Sequence, residues 1–99
     1  MLNIDKSVNG NELVLKLSGR LDTTTAPELE TEVKSNIEGI GSLIFDLGAL
    51  EYISSAGLRV LLSSQKIMNK QGDMVVRNVS EEVKEIFEVT GFSDILTIE

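Results

Sequence analysis

Two adjacent serines, Ser54 and Ser55, sit in Tyr52-Ile53-Ser54-Ser55-Ala56-Gly57-Leu58, between the apolar run Leu43-Ile44-Phe45, with its terminal Asp46, and the helically periodic stretch Leu58 to Met68. A serine hydroxyl at such a place has three kinds of chemistry open to it. It can cap a helix, act as a nucleophile, or accept a phosphoryl group. Capping is the plain reading, because serine is a preferred N-cap in any helix. Phosphate would also be welcome there, since the first N–H groups of a helix lack intrahelical partners and carry the positive end of the macrodipole.

The nucleophile reading fails on composition. A catalytic serine needs a base, and the chain contains no histidine. A Ser-Lys pair would have to reach from Ser55 to Lys66, eleven residues on. With neither cysteine nor histidine there is no thiol chemistry, no disulfide framework and no ordinary zinc site, so no metal and no cofactor is expected. Phosphate-loop nucleotide binding also lacks its signature, because Gly39-Ile40-Gly41 precedes a strand and no Gly-Lys-Ser/Thr follows. A protein that is acted upon, and is not itself an enzyme, is the better expectation.

Nine basic residues against sixteen acidic ones give a net charge of −7, which repels nucleic-acid backbones and anionic lipid surfaces. Direct nucleic-acid binding is rejected on that ground. No run of 18 or more apolar residues is present and the start, Met1-Leu2-Asn3-Ile4-Asp5, is not a basic-then-apolar leader, so no membrane insertion and a cytoplasmic location are expected. Ninety-nine residues without a linker-like stretch imply one domain over 1–99.

The elements that must carry the serines can be read from periodicity. Leu13, Leu15 and Leu17 alternate with Val14, Lys16 and Ser18, a half-buried strand, and Asn9-Gly10 before it signals a hairpin with residues 2–8. Leu29, Val33 and Ile37 mark a helix, with Thr25 and Glu28 placed as a capping box, Pro27 near the start and Gly39 and Gly41 at the end. Leu43-Ile44-Phe45 suits a central strand covered on both faces, and Leu58, Leu61, Leu62, Gln65 and Met68 give the next helix its core stripe. Met74-Val75-Val76 predicts a strand, and Ser80 caps a helix that buries Val83, Ile86 and Phe87 and stops at Gly91. Ile95 to Ile98 predict a last strand. The order β-β-α-β-α-β-α-β gives the α/β class, a small mixed sheet with helices, in which ligands meet the carboxyl ends of strands. Asp46 and the loop carrying Ser54 and Ser55 are expected at such an end.

Two blocks tie this outline to a family. Tyr52-Ile53-Ser54-Ser55-Ala56-Gly57-Leu58 resembles the signature of the STAS domain (sulfate transporter and anti-sigma factor antagonist), commonly aromatic-Ile-Asp-Ser-Ser/Thr-Gly-Leu. Leu17-Ser18-Gly19-Arg20-Leu21-Asp22, followed by Thr25-Ala26-Pro27-Glu28-Leu29, resembles the family's Gly-Arg-Leu-Asp turn and the opening of its first helix. The resemblance covers essentially the whole chain. Ser54 stands where many members have Asp, and Ala56 where many have Ser or Thr.

The resemblance implies a STAS fold and an anti-sigma factor antagonist. The unphosphorylated form would bind an anti-sigma factor that is also a serine kinase, freeing a sigma factor, and a serine phosphatase would reset the system. It places the phosphorylated serine at Ser55, two residues before Gly57, with Ser54 as a competing acceptor. Asp22, Thr24, Ser54, Ser55, Ala56, Gly57 and Arg59 are the expected partner-binding residues. Asp22 also has a plain reading as a turn or cap residue before Thr23-Thr24-Thr25. Arg20 and Arg59 suit either a phosphate or an acidic surface neighbour. The alternative is a nucleotide- or small-anion-binding STAS module, with weak nucleotide binding or hydrolysis, or a subunit of a transporter complex.

Overall fold

The computed structural model describes residues 1–99. Strand β1 (Leu2–Asn9) turns through Gly10, at φ +61°, into the antiparallel β2 (Glu12–Leu21). Helix α1 (Ala26–Asn36) leads to β3 (Ser42–Ile53), α2 (Ser55–Met68) to β4 (Asp73–Arg77), and α3 (Glu81–Thr90) ends in a 3-10 turn at Phe92–Asp94. The sheet order is β1-β2-β3-β4, with β2, β3 and β4 parallel. Each parallel neighbour is reached through one helix, as a parallel pair requires.

One face of the sheet makes the core. Leu13, Leu15 and Leu17 of β2, Leu43 and Phe45 of β3 and Met74 and Val76 of β4 join Leu29, Val33, Leu58, Leu61, Met68, Val83 and Phe87 of the helices in one buried cluster. Ile44 points the other way. It is buried, yet lies outside that cluster, and its neighbours in register, Val14 and Val75, are half-exposed. The expectation that β3 is covered on both faces is therefore corrected: helices cover one face, and Ile44 is shielded by its flanking strands.

Three further expectations change. The strand Leu43-Ile44-Phe45 continues to Ile53, through two irregularities where β3 gains a residue on β2, between Asp46 and Ala49 and between Leu50 and Tyr52. Bulges of this kind break the alternation of faces, so the buried residues fall at Leu47, Leu50 and Ile53, three apart. The predicted last strand shrinks to a single bridge of Ile98 to Val76, and Ile95 is half-exposed. Thr25 stands at the N-cap of α1 without a side-chain capping bond, so the Thr25–Glu28 box does not form. The hydrogen bonds around Asp22 take its place.

No helix is long and apolar enough to cross a membrane.

Candidate functional site

Strands β2 and β3 end side by side. Arg20 pairs with Tyr52 and Leu21 with Ile53 in register, and the Ser54 N–H donates to the Leu21 carbonyl at 2.9 Å. The chain leaves both strands at the same edge, through Asp22 into α1 and through Ser54 into α2. Asp22, Thr24, Ser54, Ser55, Ala56, Gly57 and Arg59 therefore share one end of the sheet. Asp46 does not join them. It pairs with Arg77 where β4 ends, while β3 runs on to Ile53. Its Oδ1 accepts from the Gly48 N–H at 3.0 Å and the Asn78 amide at 3.2 Å, pinning the first irregularity and the left-handed Asn78, at φ +58°. Burial pushes the Asp46 carboxyl up, but these two bonds, with Lys16 and Arg77 nearby, hold it below its ordinary value.

The two serines have different environments. Ser54 is the N-cap of α2: its backbone is extended, its hydroxyl oxygen accepts the Gly57 N–H at 3.4 Å, and its carbonyl accepts the Leu58 N–H at 3.0 Å. Ser55 is the first residue of the helix proper, exposed, with no hydrogen-bond partner for its hydroxyl within the chain. One hydroxyl is committed to the fold and partly buried. The other is free.

Gly57 explains why α2 can start so close to the strand ends. A Cβ there would lie 2.7 Å from Leu21 Cγ and 2.9 Å from Ile53 Cγ1, inside the contact distance of two fully packed side chains. The missing side chain lets the helix N-terminus press onto the last core residues of β2 and β3. Gly57 is itself buried, so its part in the site is to set the height of Ser55, and not to offer a surface.

Asp22 organises the other side. Its Oδ1 accepts from the Thr24 hydroxyl at 2.8 Å, the Thr24 N–H at 3.0 Å and the Thr25 N–H at 3.1 Å, an Asx turn that starts α1. The Thr25 hydroxyl accepts the Asp22 N–H at 2.8 Å and donates to the Arg20 carbonyl at 2.8 Å. The Thr24 hydroxyl has the largest effect on the Asp22 carboxyl; with the backbone N–H groups of Thr25 and Thr24 it outweighs the upward push of burial and holds the group below its ordinary value. Arg20, 3.8 Å away, lies over the Tyr52 ring at 4.4 Å from its centroid. Sequence reading missed this stack, because the second irregularity of β3 decides which residue faces Arg20.

Between α1 and α2, next to Ser55, a shallow groove of about 210 Å³ is lined by Thr23, Ala26, Pro27, Glu30, Ala56, Arg59 and Val60. Ala56 packs on the core edge and Arg59 is exposed. Arg59 has no carboxylate partner, whereas Glu30 across the groove lies 3.6 Å from Lys34. No cluster of residues that could ligate a metal ion is present.

The STAS domain family model matches residues 3–99. The anti-sigma-B factor antagonist of Bacillus subtilis is 31% identical over 98 residues, spanning 98% of this chain and 90% of its own length. BtrV of Bordetella bronchiseptica, also designated an anti-sigma factor antagonist, is 38% identical over 88 residues, 87% of this chain and 76% of BtrV. Among solved structures, the Bacillus cell fate determinant SpoIIAA in its phosphorylated form superposes with a TM-score of 0.76 at 17% identity, covering all of this chain and 91% of SpoIIAA. At that identity the likeness shows the fold alone. The two halves of the signature, which lie far apart in sequence, meet at the joined ends of β2 and β3, and with the family match they place this chain in the STAS domain family, among the anti-sigma factor antagonists.

Proposed function

We propose that the chain is a phosphorylation-controlled antagonist: unphosphorylated, it binds an anti-sigma factor through the end of the sheet that carries Ser55, freeing a sigma factor in the cytoplasm. The bound anti-sigma factor acts in turn as its serine kinase. The Ser55 hydroxyl oxygen attacks the γ-phosphorus of ATP, its proton passes to a base on the kinase, an O–P bond forms as the bond to ADP breaks, and ADP leaves. A serine phosphatase reverses the modification by hydrolysis. The chain needs no catalytic group of its own for this.

The observation that carries the reading is the difference between the two serines. An acceptor hydroxyl must reach a kinase active site without taking the fold apart, and Ser55 is exposed and uncommitted while Ser54 caps α2. Phosphate adds about −1.5 to −2 charges at one spot. The helix terminus tolerates that anion, with a favourable interaction of typically 0.3–1 kcal/mol, whereas a docked partner must desolvate or repel it. Asp22, Thr24, Ala56 and Arg59, at the same end of the sheet as Ser55, complete the contact surface. A nucleotide-binding reading gains less support, because the neighbouring groove of about 210 Å³ is below the usual range for ligand pockets and Glu30 lines it.

Incubation with ATP and the cognate kinase, followed by fragment mass spectrometry, should add about 80 Da, one phosphoryl group, to Ser55. Ser55→Ala should bind the anti-sigma factor and stay bound in ATP, and Ser55→Asp should bind it poorly. Modification of Ser54 with Ser55 untouched, or equal affinities of the two variants, would sink the proposal.

A further inference from the structure

Ser55 and Arg59 are four residues apart on α2, and both are exposed. That spacing sets their side chains on one helical face, and a phosphate on Ser55 would stand N-terminal to the cation, the favourable order for an i, i+4 pair. Two other charged groups at this end of the sheet are engaged. Arg20 stacks on Tyr52 and faces Asp22, and Glu30 is drawn to Lys34 on its own helix. Arg59 is the cation without a partner, and it lines the groove that begins at Ala56, beside Ser55.

Resting on the phosphorylation of Ser55 proposed above, we infer that Arg59 is an internal receptor for the Ser55 phosphate. In the unphosphorylated chain the guanidinium is offered to the partner across the mouth of the α1–α2 groove. Once Ser55 is modified, the guanidinium turns to the phosphate oxygens, for which its fork of N–H donors is suited. Phosphorylation then changes the surface twice over, adding an anion and withdrawing a cation. Counting Arg59 and the modified Ser55 together, the local charge passes from +1 to about −0.5 to −1. The partner loses an attractive contact as well as meeting a repulsive one.

The inference is testable without any kinase. Phosphoserine can be introduced at position 55 during translation, and phosphorus NMR then reads the second pKa of the phosphate, about 6 when unperturbed. A neighbouring guanidinium favours the dianion and lowers that value, so Arg59→Gln should raise it by roughly 0.2–0.4 of a pH unit at low salt, the size expected of an i, i+4 ion pair. Arg59→Lys should restore most of the shift. Glu30→Gln, which removes the competing carboxylate across the groove, should move the value slightly the other way. Lys66→Gln, which deletes a positive charge about 10 Å further along the helix, should move it by clearly less than Arg59→Gln does. A pKa that Arg59→Gln does not move, or that Lys66→Gln moves equally, overturns the inference. A kinase that leaves Ser55 unmodified would instead overturn the reading beneath it, since the phosphate here is built in.

Discussion

The Ser54 N–H donates to the Leu21 carbonyl at 2.9 Å, tying the residue that opens α2 to the last residue of β2. Gly57, one turn into α2, lies against the Leu21 and Ile53 side chains just beneath that bond. The position of Ser55 is thus set by a buried contact rather than by the course of a loop. A mobile loop would leave the Ser55 backbone in many positions, whereas a helix pressed onto two core side chains holds it in one.

Gly57→Ala follows directly. Alanine is the better helix former by about 0.5–1 kcal/mol, which alone would stabilise α2. Its Cβ, however, would meet Leu21 and Ile53 at 2.7–2.9 Å, and both side chains are buried with little room to retreat. Overpacking of this sort costs about 1–3 kcal/mol and outweighs the propensity gain. A net loss of about 1–2 kcal/mol should lower the melting temperature by roughly 5–15 °C for a domain of this size. A variant as stable as the parent would show that the approach of α2 to the strand ends is looser than the structure has it.

The two serines should separate when each is replaced by alanine. Ser54→Ala removes the cap of α2 and should cost about 0.5–1 kcal/mol in urea unfolding, the lower part of the range for such caps because the bond to Gly57 is long at 3.4 Å. It should still be phosphorylated, at Ser55. Ser55→Ala removes an exposed hydroxyl without a partner and should alter stability by no more than about 0.5 kcal/mol, while abolishing phosphorylation. The opposite pattern, an unstable Ser55→Ala and an unmodifiable Ser54→Ala, would reverse the two roles.

Local signals in the sequence were legible where the chemistry is local. Ser80 caps α3, its hydroxyl accepting the Val83 N–H at 3.3 Å, and Gly91 closes the helix at φ +82°. Leu13, Leu15 and Leu17 alternate as read, and Met68, Met74, Phe45 and Phe87 are core. What stayed hidden depends on contacts between distant segments. The second half of β3 does not look like a strand, because its bulges space Leu47, Leu50 and Ile53 by three. The spacing of Thr25 and Glu28 fits a capping box, yet Asp22, three residues upstream, takes the Thr25 N–H, and the Thr25 hydroxyl is turned to the Asp22 N–H and the Arg20 carbonyl. Asp46 ends the evident apolar run but not the strand. At the site, Gly57 gave the register to Ser55 from sequence, while its physical reason, the approach to Leu21 and Ile53, and the freedom of Arg59 required the fold.

Asp22 offers the sharpest test of how the site is supported, because its sequence reading left a turn and a contact both open. The hydroxyl and N–H groups of Thr24 and Thr25 converge on one oxygen, Oδ1, so the carboxylate is first of all the organiser of the turn into α1. These bonds favour the ionised form and hold its pKa in the folded chain below the ordinary value of 3.8. A depressed carboxylate contributes stability that is fully present above its unfolded pKa and is lost as pH falls through the lower, folded one. Asp22→Asn keeps an acceptor oxygen in the same place but cannot ionise. The parent chain should therefore be more stable than Asp22→Asn at neutral pH, with the gap beginning to close just below pH 4 and vanishing as the folded carboxyl protonates. A gap that persists unchanged to pH 2 would mean that the charge contributes nothing and that only the shape of the turn matters. Phosphorylation of Ser55 and affinity for the anti-sigma factor, measured at neutral pH on the same folded variant, then isolate the contact. If Asp22 also meets the partner, one of them must fall while Asp22→Asn remains fully folded, and if neither does, Asp22 belongs to the turn alone.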